Sequence, residues 1–142
     1  MVENVGIFHL TLDSKNRFFL PKPFKRYKKF YITMGLENCL LIYSPKKWND
    51  IILKLKKLSW NKESHRKFLR LFLSRARVLN VDSQSRVLLP QDLIEHAKIK
   101  KRIVLLNLLS RIEIWSEEEF KIYEKESRVV LPKVAEELDI EM

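Results

Sequence analysis

Asp13-Ser14-Lys15-Asn16-Arg17 is followed by Phe18-Phe19-Leu20-Pro21, and 69 positions later Asp82-Ser83-Gln84-Ser85-Arg86 is followed by Val87-Leu88-Leu89-Pro90. Both copies read Asp-Ser-x-x-Arg, then three apolar residues, then Pro. Alternating apolar residues precede each: Phe8, Leu10 and Leu12 before the first, Val78 and Val81 before the second. Alternation, a polar five-residue loop and a second apolar run predict a β-hairpin. A chain that builds the same hairpin twice is read first as two copies of one unit.

The elements after each loop also recur. In the first unit the prolines at 21 and 23 end the returning strand, and a short basic helix is predicted over Lys22 to Lys29, with Phe24 and Tyr27 inward. Phe30 to Thr33 and Cys39 to Tyr43 read as a second hairpin turning at Gly35 and Glu37-Asn38. Ser44-Pro45 is a helix start, with Ser as N-cap and Pro in the first turn. Trp48, Ile51, Ile52, Leu55 and Leu58 then recur at helical spacing. Ser59-Trp60-Asn61 breaks this helix, and another is expected from about Lys62 to Ser74. The second unit repeats the order: a strand over 76–81, the loop, a short helix with Leu93, Ile94 and Ala97, and strands at Ile103–Leu106 and Ile112–Trp115. Ser116 and Glu119 form a capping-box pattern that opens a helix through about Glu126. The expected fold is therefore α+β, built from two tandem β-hairpin/helix repeats over 1–60 and 61–127, with a tail over 128–142. That tail, with Pro132 and four acids, reads as a mobile end or a partner-dependent segment.

Charge divides the chain unequally. Residues 1–71 hold 16 Lys+Arg against 5 Asp+Glu, and residues 72–142 hold 12 against 13. A one-sided basic excess points to a polyanion partner contacted through the first unit. No apolar run reaches the roughly 18–20 residues a membrane span needs, and Met1-Val2-Glu3-Asn4 lacks the pattern of a secretory signal. The single cysteine, Cys39, gives no disulfide framework or thiolate metal site. It reads as a buried structural thiol suited to a reducing cytoplasm.

Catalytic and cofactor signatures are missing from the pattern. His9, His65 and His96 are scattered, without metal-ligand spacing, so no metal or other cofactor is expected. With only two glycines, a GxGxxG, P-loop or serine elbow has little to be built from. The chain is not expected to be an enzyme or to take a small-molecule substrate.

The tandem Asp-x-x-x-Arg loops, each followed by three apolar residues and Pro, resemble the MraZ family. Gly35-Leu36-Glu37-Asn38-Cys39-Leu40 and Arg111-Ile112-Glu113-Ile114-Trp115-Ser116 resemble its follow-on segments, and Gly6-Ile7-Phe8-His9 is similar to part of its N-terminal segment. The likeness runs from about residue 6 to 127. It implies a bacterial transcriptional regulator of the division and cell-wall gene cluster, acting in the cytoplasm at the nucleoid. It implies an AbrB-like swapped-hairpin β-barrel with flanking helices. It also implies a homo-oligomeric ring, an octamer or similar, that binds direct repeats in promoter double-stranded DNA. The family's loop usually carries Gly before the Arg, where this chain has Asn16 and Ser85. Asn tolerates the left-handed conformation that such a turn uses, and Ser does so less readily.

Lys15, Asn16, Arg17 and Arg86 are the candidate DNA-binding residues. Arg offers a planar fork for guanine O6 and N7, and Lys a point charge for phosphate. Asp13 and Asp82 are assigned to structuring the loops, since a carboxylate aimed at DNA would repel it. The simpler alternative, an Asp–Arg pair that only closes its own turn, stays open for both loops and more so for Arg86, whose loop has no Lys. Lys22, Lys25, Arg26, Lys28 and Lys29 form a secondary basic run. Two rivals remain: a self-assembling scaffold on the same frame, and an antitoxin-like regulator whose acidic tail binds a partner.

Overall fold

The computed structural model describes residues 5–142; the Met1–Asn4 stretch considered above lies outside them. Eight strands and four helices follow one another as β1 (Gly6–Thr11), β2 (Arg17–Phe19), β3 (Lys29–Met34), β4 (Cys39–Tyr43), α1 (Pro45–Leu55), α2 (Glu63–Ser74), β5 (Arg77–Asn80), β6 (Arg86–Leu88), α3 (Gln91–His96), β7 (Arg102–Asn107), β8 (Ile112–Ser116) and α4 (Glu117–Glu137).

The order of elements follows the repeat, but the strand partners do not. The arms of each Asp–Arg loop were expected to pair with each other. Instead β1 pairs with β7, β2 with β6, and β3 with β5, all antiparallel and all between the two repeats. Only the β3–β4 and β7–β8 hairpins are local. The loops take part in this exchange. Asp13 N–H bonds Arg17 C=O at 2.8 Å and Asn16 N–H bonds Asp13 C=O at 3.0 Å, which closes a tight turn but no ladder. Residue 16 sits at φ 62° and residue 85 at φ 61°, the left-handed position that closes a short turn of this kind. Leu20 N–H then bonds Ser85 C=O at 2.9 Å, and Leu89 N–H bonds Asn16 C=O at 2.9 Å. Each loop thus anchors the other, and these bonds hold Ser85 in a conformation that Ser alone adopts less readily.

The registers define a pseudo-twofold axis. Phe18 faces Val87 at the centre of the β2–β6 pair, and Leu41 faces Glu113 at the centre of the β4–β8 pair. Both are equivalent positions of the two repeats. One six-stranded sheet runs β1-β7-β8-β4-β3-β5, and β2-β6 forms a second, two-stranded sheet. Among the described residues no closed barrel forms: β1 and β5 are the open edges of the large sheet. The main core lies between the two sheets and takes residues from both repeats, among them Phe18, Leu20, Phe24, Phe30, Ile32, Leu40, Val87, Leu89, Leu93, Ile103 and Ile114.

The basic helix expected over Lys22–Lys29 is instead a 3-10 turn, Lys22–Phe24, with Phe24 buried. The chain enters β3 at Lys29, which leaves length for only a short turn, closed by i→i+3 bonds such as that from Phe24 N–H to Pro21 C=O at 2.9 Å.

On the outer face, α1 and α2 cover the first repeat. Trp48 stacks on Tyr31 at 5.3 Å and on Phe72 at 6.0 Å. The Thr33 hydroxyl donates to Phe72 C=O at 2.6 Å and ties α2 to β3. The second repeat is covered differently. There α4 packs through Phe120 and Tyr123 on Trp115, at 5.5 and 4.8 Å, and continues past Glu126 through Pro132 to Glu137. The segment read as a tail is therefore largely helix. One proline removes a single donor, while the rest of 128–137 is mostly good helix formers with a Glu124–Arg128 ion pair at 3.7 Å.

Two local features carry predictions. Gly35 closes the β3–β4 hairpin by donating to Cys39 C=O at 2.8 Å. A Cβ here would overlap Cys39 Sγ and stand 3.0 Å from the Cys39 carbonyl oxygen. Gly35→Ala is expected to destabilise by about 1–3 kcal/mol. Adding Cys39→Ala should recover part of that loss, so that denaturant melts show the pair to be non-additive. The Cys39 thiol itself is fully buried, and burial pushes its pKa up to about 12, which makes it an unreactive core group.

Asp92 on α3 accepts from Arg77, with one contact at 2.6 Å, and from Arg75 at 3.1 Å. Hydrogen bonds from the Arg77 side chain lower its pKa to about 2. The folded carboxylate is more acidic than the unfolded one, so the group contributes stability above about pH 4. That contribution is lost as pH falls through about 2. Asp92→Asn should flatten the acid limb of a stability-versus-pH curve between those values.

Candidate nucleic-acid interface

Each loop is structured by its aspartate. Asp13 Oδ1 accepts the N–H groups of Lys15 and Arg17, both at 2.9 Å, and its Oδ2 takes Arg17 Nε at 2.8 Å. Asp82 repeats the arrangement: Oδ1 accepts from Gln84 at 2.9 Å and Arg86 at 2.8 Å, and Oδ2 takes Arg86 Nε at 2.8 Å. The backbone bond from Arg17, followed by those from Lys15 and the Arg17 side chain, lowers the pKa of Asp13; bonds from Arg86 and Gln84 do the same for Asp82. Both carboxylates therefore stay charged and committed to their own loops.

The β2–β6 pairing brings the two loops together. Directly opposed residues in an antiparallel pair point to the same face. Arg17 faces Leu88, Phe18 faces Val87, and Phe19 faces Arg86. Phe18 and Val87 point into the core, each 1% exposed, while Phe19 and Leu88 point out at 59% and 55%. The outer face of the ribbon thus carries Arg17 and Arg86 around the pseudo-twofold axis, with Phe19 and Leu88 beside them. Arg86 lies over the Phe19 ring at 6.0 Å. Each guanidinium is held to its aspartate through Nε, and the Arg17 and Arg86 side chains are 27% and 21% exposed.

Lys15 is exposed at the loop tip, and Asn16 is half-exposed with its amide 3.4 Å from Gln91 Oε1. Of the secondary basic run, Arg26 is occupied with Tyr27, donating to its hydroxyl at 2.9 Å. Phe19 and Leu88 were not singled out from sequence. An unbroken run of three apolar residues does not say which side chain faces out, and the meeting of Phe19 and Leu88 on one face depends on the cross-repeat pairing.

Among the described residues there is no group of three or more His, Cys, Asp or Glu able to hold a metal ion, and no helix is long and apolar enough to cross a membrane. His65 Nδ1 accepts from Ser59 N–H at 3.0 Å, which is a helix-joint contact.

These features define a class: a two-repeat α+β protein whose halves exchange strands about one axis and expose a two-stranded ribbon bearing paired arginines. The family model described as "MraZ protein, putative antitoxin-like" matches residues 5–71 and again 72–139. A protein named transcriptional regulator MraZ from Caldanaerobacter subterraneus subsp. tengcongensis is 42% identical over 95% of this chain and 96% of its own length. Proteins of the same name from Thermoanaerobacter sp. (strain X514) and Clostridium acetobutylicum are 39% and 40% identical, over 95% and 94% of this chain and 96% and 95% of theirs. The chain belongs to the MraZ family. The relatives named here carry the name transcriptional regulator.

Proposed function

We propose that this chain is a sequence-specific DNA-binding transcriptional regulator that reads double-stranded DNA with the β2–β6 ribbon and its two loops. The supporting observation is the ribbon's outer face: two preset arginines and two exposed apolar side chains on one two-stranded element. A two-stranded β-ribbon fits the B-DNA major groove, where an Arg fork reads guanine and an apolar side chain contacts the thymine methyl. Arg17 and Arg86 are the proposed base readers, Lys15 and Asn16 the phosphate and loop-tip contacts, and Asp13 and Asp82 the groups that hold both loops in shape. Phe19 and Leu88 join them.

Assembly completes the reading. One ribbon covers few base pairs, so affinity depends on several copies engaging direct repeats at matched spacing. The far half of α4 supports self-association. Val129, Val130, Leu131, Val134 and Leu138 are all 40% or more exposed, and Glu136, Glu137 and Asp139 lie among them. The first repeat offers a complement in the apolar groove between Leu36 and Leu71, beside Lys67. Seating α4 of one copy there gives a head-to-tail contact, which closes into a ring when the rotation allows. A promoter in the division and cell-wall gene cluster, and a place at the nucleoid, follow from the family likeness.

Fluorescence anisotropy on DNA from upstream of the chain's own gene, against a scrambled duplex at two salt concentrations, tests the proposal. Preferential binding is expected, with log K falling by about 0.9 per phosphate neutralised for each unit of log salt. Equal affinity for both duplexes, or affinity insensitive to salt, overturns it. A partner protein that copurifies through α4, with no DNA preference, would instead favour the antitoxin-like reading.

A further inference from the structure

A cleft of about 480 Å³ opens between the 3-10 turn, the start of α1 and the β7–β8 turn. That volume is in the range of small-molecule sites. Its rim carries Arg26, Lys47 and Arg111, and no carboxylate lines it. Its floor is apolar: Phe24, Phe30, Ile42 and Ile112.

Three observations converge on an anion. First, Arg111 donates through Nη2 to Glu113 at 2.8 Å, which leaves Arg26 and Lys47 without a carboxylate among the described residues. Second, Arg111 Nε is a buried donor with no hydrogen-bond partner among those residues. An unpaired donor in a side chain that is 38% exposed marks a guanidinium that Glu113 compensates only in part. Third, α1 begins at this cleft, with Ser44 as its N-cap accepting from Lys47 N–H at 3.3 Å. The positive end of an 11-residue helix therefore adds to the three side chains.

We propose that this cleft binds a small organic phosphate monoester, with the dianionic phosphate at Arg111, Lys47, Arg26 and the α1 N-terminus, and an apolar body on the Phe24–Ile112 floor. The charge balance favours a dianion: two of the three cations are uncompensated. The floor favours an apolar body over inorganic phosphate. Phe24, Phe30, Ile42 and Ile112 also line the small void beneath Phe18 and Val87. The occupied cleft would therefore contact the layer that supports the ribbon.

The test is titration calorimetry of the full-length protein with phenyl phosphate, phenol and inorganic phosphate. Phenyl phosphate is expected to bind at least 10-fold more tightly than either control. Lys47→Gln and Arg111→Gln should each weaken it about 10-fold or more. Lys47→Gln guards against misfolding, since it leaves the Arg111–Glu113 pair in place. No binding at millimolar phenyl phosphate, or binding that neither substitution affects, overturns the proposal. Two further results also overturn it. If Lys47→Gln lowers the salt slope of DNA binding by about 0.9, the cleft holds a DNA phosphate. If Lys47→Gln shrinks the assembly, it holds a neighbouring copy. Calorimetry uses no DNA, so failure here is separate from failure of the DNA-binding reading.

Discussion

Phe18→Ala is expected to destabilise the protein by about 3–5 kcal/mol, the range for a buried aromatic truncated in a core. Phe18 is 1% exposed and stands opposite Val87 at the centre of the β2–β6 ribbon. It packs in the shared core with residues of both repeats. The cavity would lie under the axis that relates the two halves, where neither half can collapse without shifting the other. For a chain of this size the loss corresponds to a fall in Tm on the order of 10 °C. Phe19→Ala is the internal control. The same residue type one position later is 59% exposed, and its truncation should change stability by no more than about 0.5 kcal/mol. Comparable losses for the two variants would mean that the ribbon's faces are assigned wrongly. The comparison must be made at one protein concentration, because assembly makes Tm concentration-dependent.

That contrast marks where the sequence was informative and where it was not. The apolar run Phe18-Phe19-Leu20 marks a strand without saying which phenylalanine is buried, whereas helical spacing marks α1 and α2. Neither pattern says which strand lies alongside. Two copies of one unit offer nearly the same apolar pattern to each other as to themselves, so β1 pairing with β7 rather than β2 is invisible in residue types. What ties each outgoing strand across the axis is its bond to the other loop, Leu20 N–H to Ser85 C=O and Leu89 N–H to Asn16 C=O, through loops bent left-handed at Asn16 and Ser85. At Asn16 that bend was readable from residue type. At Ser85 it was not, since it depends on the bond from Leu20 across the axis. The reach of α4 past Pro132 was hidden for a similar reason: proline weakens a helix locally, while the flanking residues that sustain it carry no distinctive signal. The candidate site was half legible. Its arginines and aspartates stand in the motif, whereas Phe19 and Leu88 enter only once the ribbon is assembled.

Arg17→Ala and Arg86→Ala are each expected to weaken binding to the preferred duplex by about 5- to 150-fold per ribbon, the value of one bidentate base contact. Coupling among copies would enlarge the loss. The sequence suggested a lesser role for Arg86, since no Lys shares its loop. The geometry argues for near-equivalence: both guanidiniums are held through Nε at 2.8 Å, and both lie on the same face of the ribbon. Asp13→Asn separates presentation from contact. It retains an acceptor for the backbone but removes the charge that orients Arg17, so it should weaken binding less than Arg17→Ala while leaving the fold intact. The two duplexes distinguish the mechanisms. If Arg17 reads a base, its loss erases the preference between specific and scrambled DNA. If it only neutralises phosphate, both affinities fall together and the salt slope drops by about 0.9, as expected for Lys15→Ala. Unchanged DNA affinity in both arginine variants, with assembly size preserved, would reduce the Asp–Arg pairs to devices that close their own turns. The binding surface would then have to be sought on the basic helices of the first repeat.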